Sequence, residues 1–281
     1  MRIVSFRVPG GVPRPGRVDD SGGIVDLAAV APDVPALLAD ADALARAEEH
    51  DDVALDPDDV LLLPPVWNPG KIVCVGVNYA DHAEEMGRQR PDYPVLFARF
   101  TTTLVAHGQP IVRPRLSEQL DYEGELVAVI GRRGRHVPRA DALAHVAGYS
   151  VFNDASVRDY QRRTSQFTPG KNFDATGGFG PWVVTADELP PGAAGLELQT
   201  RVGDEVLQSA STSLLLFDVA DLVALVSDVC TLEPGDLLVT GTPGGVGAAR
   251  TPPRWLVPGE TVEVEIEGIG TLRNPIVDET G

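Results

Sequence analysis

The chain has 281 residues, of which 43% are hydrophobic, enough apolar material for one large domain with a small unit beside it. Its formal net charge is −18 and its pI is near 4.5, which argues against nucleic acid or anionic membrane as a partner because both carry negative charge. The N-terminus lacks an apolar signal segment and no apolar run is long enough to span a bilayer, so a cytoplasmic protein is expected.

The first 65 residues are predicted to form a small N-terminal domain. Alternating apolar residues predict two strands and an Ala- and Leu-rich run predicts a helix, at residues 2–8, 23–27 and 35–50. Residues 51–69 are rich in Asp and Pro, which is typical of a linker. We place the domain boundary within this segment, with the larger domain at residues 66–281.

The larger domain is predicted to be rich in strands. Apolar runs bounded by Gly and Pro predict strands at residues 71–77, 94–100, 110–112, 120–130, 148–154, 181–185, 196–207, 237–240 and 261–267. Helical spacing predicts a core helix over 213–229, and Asn78 is predicted to cap a short helix over 80–86. Strands and helices do not alternate regularly, so the fold class is mixed α/β and strand-rich.

A group of carboxylates lies on and beside the strand that starts at Leu120. Glu123 and Glu125 are two residues apart and would share one face of that strand, and Asp154 lies at the end of another predicted strand. Three oxygen ligands of this kind suit Mg²⁺ or Mn²⁺, with Ca²⁺ left open, whereas Zn²⁺ would favour His or Cys ligands. The alternative is an acidic strand end that is exposed to solvent.

A second candidate pair is His82 with Glu85, on the predicted helix after Asn78. The spacing of three residues puts both side chains on one helix face, so the carboxylate could orient the imidazole and hold a water molecule for general acid–base chemistry. The alternative is an incidental histidine on an exposed acidic helix.

A third group is cationic and polar. Arg158, Gln161 and Lys171 follow Asp154 in the chain and would bind the far end of an anionic substrate or a developing oxyanion. Ordinary surface pairing is the alternative, and it is the interpretation assigned to Arg162 and Arg163.

The glycine-rich stretch 240–247 has the composition of a phosphate-binding loop. It lacks the Gly-Lys-Ser/Thr ending of such loops and no helix is predicted to follow it. A tight turn that offers the Gly241 amide and the Thr242 hydroxyl to a substrate carboxylate fits this stretch better.

Taken together, these segments resemble the fumarylacetoacetate hydrolase superfamily, in the branch of acylpyruvases and 2-hydroxyhepta-2,4-diene-1,7-dioate isomerases. The segments that carry the resemblance follow the family's order, and they are Val75 to His82, Asp121 to Leu126, Asn153 to Gln161, Gly170 to Asp174, Gly180 to Trp182, and Pro234 to Pro243. Each is weakly specific alone, but the ordered set is specific. The resemblance implies a β-sandwich roll with a small N-terminal domain, usually assembled as a homodimer.

The resemblance also implies functional roles. Members bind Mg²⁺ or Mn²⁺ through the counterparts of Glu123, Glu125 and Asp154, carry the counterparts of His82 and Glu85 on a mobile lid, and have a site lysine that corresponds to Lys171.

Two departures from the family pattern affect the pocket. Phe97-Ala98-Arg99 stands where many members have Phe-x-Lys, and Lys171-Asn172-Phe173-Asp174-Ala175-Thr176 replaces Lys-Ser-x-Asp-Thr-Phe. The identity of the substrate is therefore open, whereas the predicted metal ligands are unaffected.

These observations lead to a hypothesis for the reaction: divalent-metal-dependent hydrolysis of a C–C bond in a 2,4-dioxo acid, a small anionic 2-oxo acid. His82, oriented by Glu85, would take a proton from water, and the resulting hydroxide would attack the C4 carbonyl. Lys171 and Gln161, with Arg158, would stabilise the oxyanion. Oxaloacetate decarboxylation or tautomerisation, isomerisation of a 2-oxo-dienoate, and a non-catalytic metal-binding role are the alternatives.

Overall fold

The computed structural model describes residues 1–85 and 92–280. Strands dominate it, and in chain order they are β1 (Arg2–Arg7), β2 (Arg14–Val18), β3 (Ile24–Asp26), β4 (Leu61–Leu63), β5 (Ile72–Gly76), β6 (Val95–Ala98), β7 (Leu104–Val105), β8 (Ile111–Arg113), β9 (Leu120–Asp121), β10 (Gly124–Ile130), β11 (Val146–Asp154), β12 (Ser156–Val157), β13 (Gly177–Thr185), β14 (Glu197–Val202), β15 (Glu205–Ser211), β16 (Leu237–Val239), β17 (Thr261–Ile266) and β18 (Gly270–Asp278). The predicted class, mixed α/β and strand-rich, is confirmed.

The helices are short. They are α1 (Val34–Leu38), α2 (Ala41–Glu49), α3 (Ala80–Glu85), α4 (Arg158–Gln161), α5 (Thr168–Lys171) and α6 (Val219–Val229), with 3₁₀ turns at Pro57–Asp59, Thr101–Thr103, Arg139–His145, Ala186–Glu188, Pro191–Ala193, Thr212–Leu214 and Gly247–Ala249. The single helix predicted over 35–50 is two helices, because Asp40 has extended backbone angles and its side chain caps α2. No helix within the described residues is long and apolar enough to cross a membrane.

Two main sheets enclose the core. The larger has the order β3-β2-β1-β13-β11-β10-β16-β5-β6, with β4 added on β1 and β7 on β13, and the smaller has the order β15-β14-β17-β18-β8. The N-terminal strands extend the larger sheet, since β1 pairs antiparallel with β13. The domain boundary near residue 65 stays a prediction.

Strand β10 lies between two apolar cores, which explains its unbroken apolar sequence. Leu126 and Ala128 pack towards the smaller sheet, in a cluster that also contains Leu198 of β14. Val127 and Val129 point to the opposite face and pack in a cluster with residues of α1 and α2. Every residue of β10 is therefore buried, and the strand is a rigid support for the charged residues at its start.

The long strand predicted from residue 120 is interrupted. Strand β9 ends at Asp121, where it pairs with β12 in a separate two-stranded sheet, and β10 begins only at Gly124. The Asp121 carboxylate accepts hydrogen bonds from the backbone amides of Gly247 (2.8 Å) and Ala248 (2.9 Å). These bonds fix the chain outside the regular ladder, so Glu123 lies in the break between the two strands.

Gly124 permits the close approach of β10 to the smaller sheet, and this gives the first prediction. A Cβ atom at this position would lie 2.2 Å from Thr200 Oγ1 and 2.9 Å from Val264 Cγ1. We expect Gly124→Ala to lower the free energy of unfolding by about 1–3 kcal/mol in urea titrations, because overpacking forces neighbours apart. The double variant with Thr200→Ala should recover part of that loss, and a Gly124→Ala protein as stable as the wild type would contradict the packing described here.

Candidate active site

The three predicted metal ligands lie together in the structure. Glu123 precedes β10, Glu125 is its second residue and Asp154 ends β11, the antiparallel neighbour of β10. The backbone amide of Asp154 donates to the carbonyl of Glu123 at 2.8 Å, which aligns the two strand ends. One carboxylate oxygen from each of the three residues lies within 4.8 Å of the others, and all three residues are buried. We call these residues the acidic triad.

Lys171 and Arg158 contact the acidic triad directly. The Lys171 ammonium, at the end of α5, lies 2.5 Å from Glu123 Oε2 and 2.6 Å from Asp154 Oδ2. The Arg158 guanidinium lies 2.7 Å from Glu123 Oε1 and 2.7 Å from Asp121 Oδ2. Both cations therefore compensate buried carboxylates in this structure, while their predicted roles towards substrate stay predictions.

Arg99 is a third buried cation of the site, to which no role was assigned from sequence. It forms an ion pair with Asp154 Oδ1, and its Nη2 donates to Thr176 Oγ1 at 2.8 Å. Its role could have been found from one feature of the sequence. Phe97-Ala98-Arg99 stands where many family members have Phe-x-Lys, so Arg99 replaces a lysine.

Glu125 differs from the other members of the acidic triad in its surroundings. Within the described residues its carboxylate has no cationic partner at ion-pair distance, and it accepts a hydrogen bond from the Gly241 amide at 2.5 Å. Burial, together with the negative charges of Asp154 and Glu123, raises the pKa of Glu125 well above its usual value. Burial would also raise the pKa of Glu123, but the charges of Lys171 and Arg158 outweigh it and lower the pKa to about 2.

The acidic triad fits a divalent cation. Its donors are all carboxylate oxygens, the set that Mg²⁺ and Mn²⁺ prefer. With Glu125 ionised, Asp121 and the acidic triad supply four negative charges against the three positive ones of Arg99, Arg158 and Lys171, so a bound cation would compensate the remaining charge and favour the ionised form of Glu125. In the described part of the chain, this is the one cluster of His, Cys, Asp or Glu with such geometry.

His82 lies on α3, and its side chain is 8% exposed at the wall of the pocket next to the acidic triad. Its Nδ1 lies 3.4 Å from Glu85 Oε2, while Glu85 Oε1 accepts from the Gly245 amide at 3.0 Å. Burial would raise the pKa of Glu85, but the hydrogen bonds from His82 and Gly245 lower it on balance. The predicted pair is thus in contact, and the carboxylate that orients the imidazole is itself held by a loop amide.

Asn78 does not act through its side chain as the predicted helix cap. Its amide nitrogen donates to the carbonyl oxygens of Thr240 (2.7 Å) and Phe217 (2.9 Å), and its carbonyl oxygen accepts from the Phe217 amide (2.8 Å). These bonds join the end of β5 to two distant loops, because a primary amide can satisfy buried backbone donors and acceptors at once. Asn78 therefore fixes the start of the segment that carries His82.

The remaining predicted substrate ligands are already engaged in hydrogen bonds. Gly241 donates its amide to Glu125, and Thr242 Oγ1 donates to the Gly124 carbonyl at 3.0 Å. Gln161 Oε1 accepts from Arg158 at 2.9 Å. Thr242 and Gln161 line the pocket, and the roles of all three residues in binding a substrate stay predictions.

The pocket beside the acidic triad has a volume of about 580 Å³. Apolar side chains form one wall, where Phe97 and Phe167 pack edge to face with ring centroids 5.6 Å apart. His82, Glu123, Glu125 and Lys171 line its inner end, and Arg162, Thr164 and Ser165 line it as well. The predicted helix end at Met86 lies outside the described residues.

Comparison with known proteins decides the family. The sequence profile described as "Fumarylacetoacetate (FAA) hydrolase C-terminal" matches residues 71–277. The chain belongs to the fumarylacetoacetate hydrolase family. The resemblance inferred from the ordered segments is confirmed, and so is the family fold.

Relatives in this family differ in the reaction that their names state. The human mitochondrial oxaloacetate tautomerase FAHD2A is 39% identical over 99% of this chain and 92% of its own length. The fumarylacetoacetate hydrolase of Exiguobacterium antarcticum is 37% identical with a TM-score of 0.83, over 99% of this chain and 100% of the other. The 5-carboxymethyl-2-hydroxymuconate delta-isomerase of Mycobacterium smegmatis is 34% identical with a TM-score of 0.80 over the same shares. The family is one of enzymes with 2-oxo-acid-related activity.

The charge balance at the acidic triad gives the second prediction. Lys171→Met removes one of three buried cations, which should cost about 3–5 kcal/mol of stability because buried carboxylates lose their partner. Added Mg²⁺ or Mn²⁺ should raise the melting temperature of this variant more than that of the wild type.

Lys71→Met is the matched control, since Lys71 pairs with the buried Asp236 at 2.7 Å, a carboxylate that is not part of the acidic triad. That variant should be destabilised without any gain in its response to the metal. Equal metal responses in all three proteins would argue against ion binding at the acidic triad.

Proposed function

We propose that the protein is a divalent-metal-dependent tautomerase that interconverts the enol and keto forms of a small 2-oxo acid of the oxaloacetate class. The observation that carries this proposal is the position of His82 in one pocket with Glu123 and Glu125 of the acidic triad. The similarity to a human oxaloacetate tautomerase over nearly the whole chain supports it. Tautomerisation, an alternative in the sequence analysis, is thus preferred, and C–C bond hydrolysis becomes the second candidate.

Mg²⁺ or Mn²⁺ held by Glu123, Glu125 and Asp154 would supply Lewis acidity to the 2-oxo carboxylate end of the substrate. His82 then moves the proton. Its Nδ1 faces Glu85, so Nε2 of the imidazolium gives a proton to C3, while the enol hydroxyl releases its proton to solvent and solvent reprotonates the imidazole. In the reverse direction Nε2 of the neutral imidazole removes the C3 proton, and the enolate oxygen takes a proton from solvent.

Other residues support this proton transfer by orienting the imidazole, by placing charge near the substrate and by excluding water. Glu85, held by the Gly245 amide, fixes the orientation of the imidazole. The Lys171 ammonium lies between Glu123 and Asp154 and places positive charge beside the oxygens of a bound 2-oxo acid. The apolar wall with Phe97 and Phe167 excludes bulk water from the carbon that is protonated.

The third prediction tests His82. His82→Ala should lower kcat for conversion of enol-oxaloacetate to its keto form by about 10²–10⁴-fold, the usual contribution of a positioned acid or base. The decay of the enol absorbance with Mg²⁺ present measures this rate. Glu84→Gln, an exposed change on the same helix, is the control and should retain the wild-type rate. A His82→Ala enzyme that stays fully active would refute the assignment.

Hydrolysis of an acylpyruvate is favoured as a second candidate by one feature, the His82–Glu85 pair, which can also hold a water molecule for attack on a carbonyl.

The fourth prediction is that, with Mg²⁺ or Mn²⁺ present, oxaloacetate is turned over with a higher kcat/KM than any member of a panel of acylpyruvates and 2-hydroxymuconate-type dienoates. Preferred cleavage of an acylpyruvate would reverse this order, and no turnover of any compound would support a non-catalytic metal-binding role.

A further inference from the structure

Arg162 was interpreted from sequence as an ordinary surface residue, but it lines the same pocket as Glu123 and Glu125 of the acidic triad. It directly follows α4, and its backbone amide donates to the Arg158 carbonyl at 3.1 Å. The two arginines are thus one helical turn apart, with Cβ atoms roughly 5–6 Å from each other. Arg158 is buried against Glu123, Gln161 is half-buried and Arg162 is exposed. This short segment therefore runs from the inner end of the pocket to solvent.

Of the Lys and Arg side chains that line this pocket within the described chain, Arg162 alone is not compensated. Arg158 and Lys171 are both bound to buried carboxylates. The Arg162 side chain forms no ion pair or hydrogen bond with the described residues, although the protein has 41 acidic residues for 23 basic ones. Its neighbour Arg163 behaves differently, since its guanidinium stacks on the Tyr160 ring at 3.6 Å.

We propose that Arg162 determines specificity by binding the second carboxylate of a dicarboxylic 2-oxo acid. The proposal rests on the proposed function and names the residue that would select the second carboxylate of a substrate of the oxaloacetate class. A guanidinium can bind a carboxylate through two parallel hydrogen bonds, which is a geometric as well as an electrostatic selection. Ser165 lines the same pocket and adds a neutral hydroxyl donor.

A pair of ligands with equal chain length tests this role. 2-Oxoglutarate and 2-oxopentanoate both have five carbons and differ in the second carboxylate. Calorimetric titration of the Mg²⁺-saturated protein should show tighter binding of 2-oxoglutarate, and Arg162→Ala should lower this preference by about tenfold or more, the value of a charged hydrogen-bonded contact. Arg162→Lys should retain part of the preference, because it keeps the charge without the planar fork.

Arg163→Ala is the matched control. The substitution removes the same charge one residue away, and Arg163 does not line the pocket. It should leave the ratio of the two dissociation constants unchanged. A wild-type protein without preference, an Arg162→Ala effect of equal size on both ligands, or an equal loss in Arg163→Ala would each overturn the proposal. Circular dichroism and melting temperature verify that the variants are folded.

Steady-state kinetics distinguish a failure of this inference from a failure of the proposed function. For oxaloacetate, Arg162→Ala should raise KM with little change in kcat, and the effect on KM should be smaller for phenylpyruvate, which has one carboxylate. A wild-type protein that prefers 2-oxoglutarate but tautomerises neither substrate would refute the proposed function and leave the role of Arg162 intact. If both substrates are tautomerised and Arg162→Ala changes both KM values equally, the proposed function is supported and the role of Arg162 is refuted.

Discussion

Four buried carboxylates packed against three buried cations are the interaction on which the rest of the site depends. Removing such groups from water costs several kcal/mol each unless opposite charges and hydrogen bonds compensate. Here the compensating cations come from three different segments: Arg99 precedes the acidic triad in sequence, whereas Arg158 and Lys171 follow it. The cluster is stable only when these segments are all in place, so the charges determine the local fold as well as the chemistry.

This dependence on ion pairs explains how the segment between Asp154 and β13 is held in place. It is polar and has little apolar periodicity, and apart from the two-residue strand β12 its regular structure is two four-residue helices, α4 and α5. Helices of that length are not stable alone, because nucleation is not repaid by so few hydrogen bonds. Instead, Arg158, which begins α4, and Lys171, which ends α5, bind the acidic triad. The pocket wall is therefore held by ion pairs on one side and by the apolar contact of Phe97 and Phe167 on the other.

The sequence predicted the acidic triad from two local patterns, an acidic pair at the start of an apolar run and an aspartate at the end of another, together with the resemblance of the ordered segments that contain them to a known family. The apolar run itself predicted β10, whose two buried faces leave no polar position. The break at Tyr122 and Glu123 was missed, since it depends on amides of Gly247 and Ala248 more than 120 residues away. Arg99 and Asn78 were missed or misassigned for the same reason: their partners are distant in sequence, and periodicity carries no information on such contacts. Cytoplasmic location and homodimeric assembly stay predictions, and one human relative is named as mitochondrial.

The central claim is that the acidic triad holds one divalent ion. The most direct measurement is Mn²⁺ binding followed by electron paramagnetic resonance, in the wild type, in Glu125→Gln and in Glu118→Gln as an exposed control. We expect one tightly bound Mn²⁺ per chain in the wild type and in Glu118→Gln, and strongly weakened binding in folded Glu125→Gln. Undiminished binding in Glu125→Gln, or no bound ion in the wild type, would contradict it.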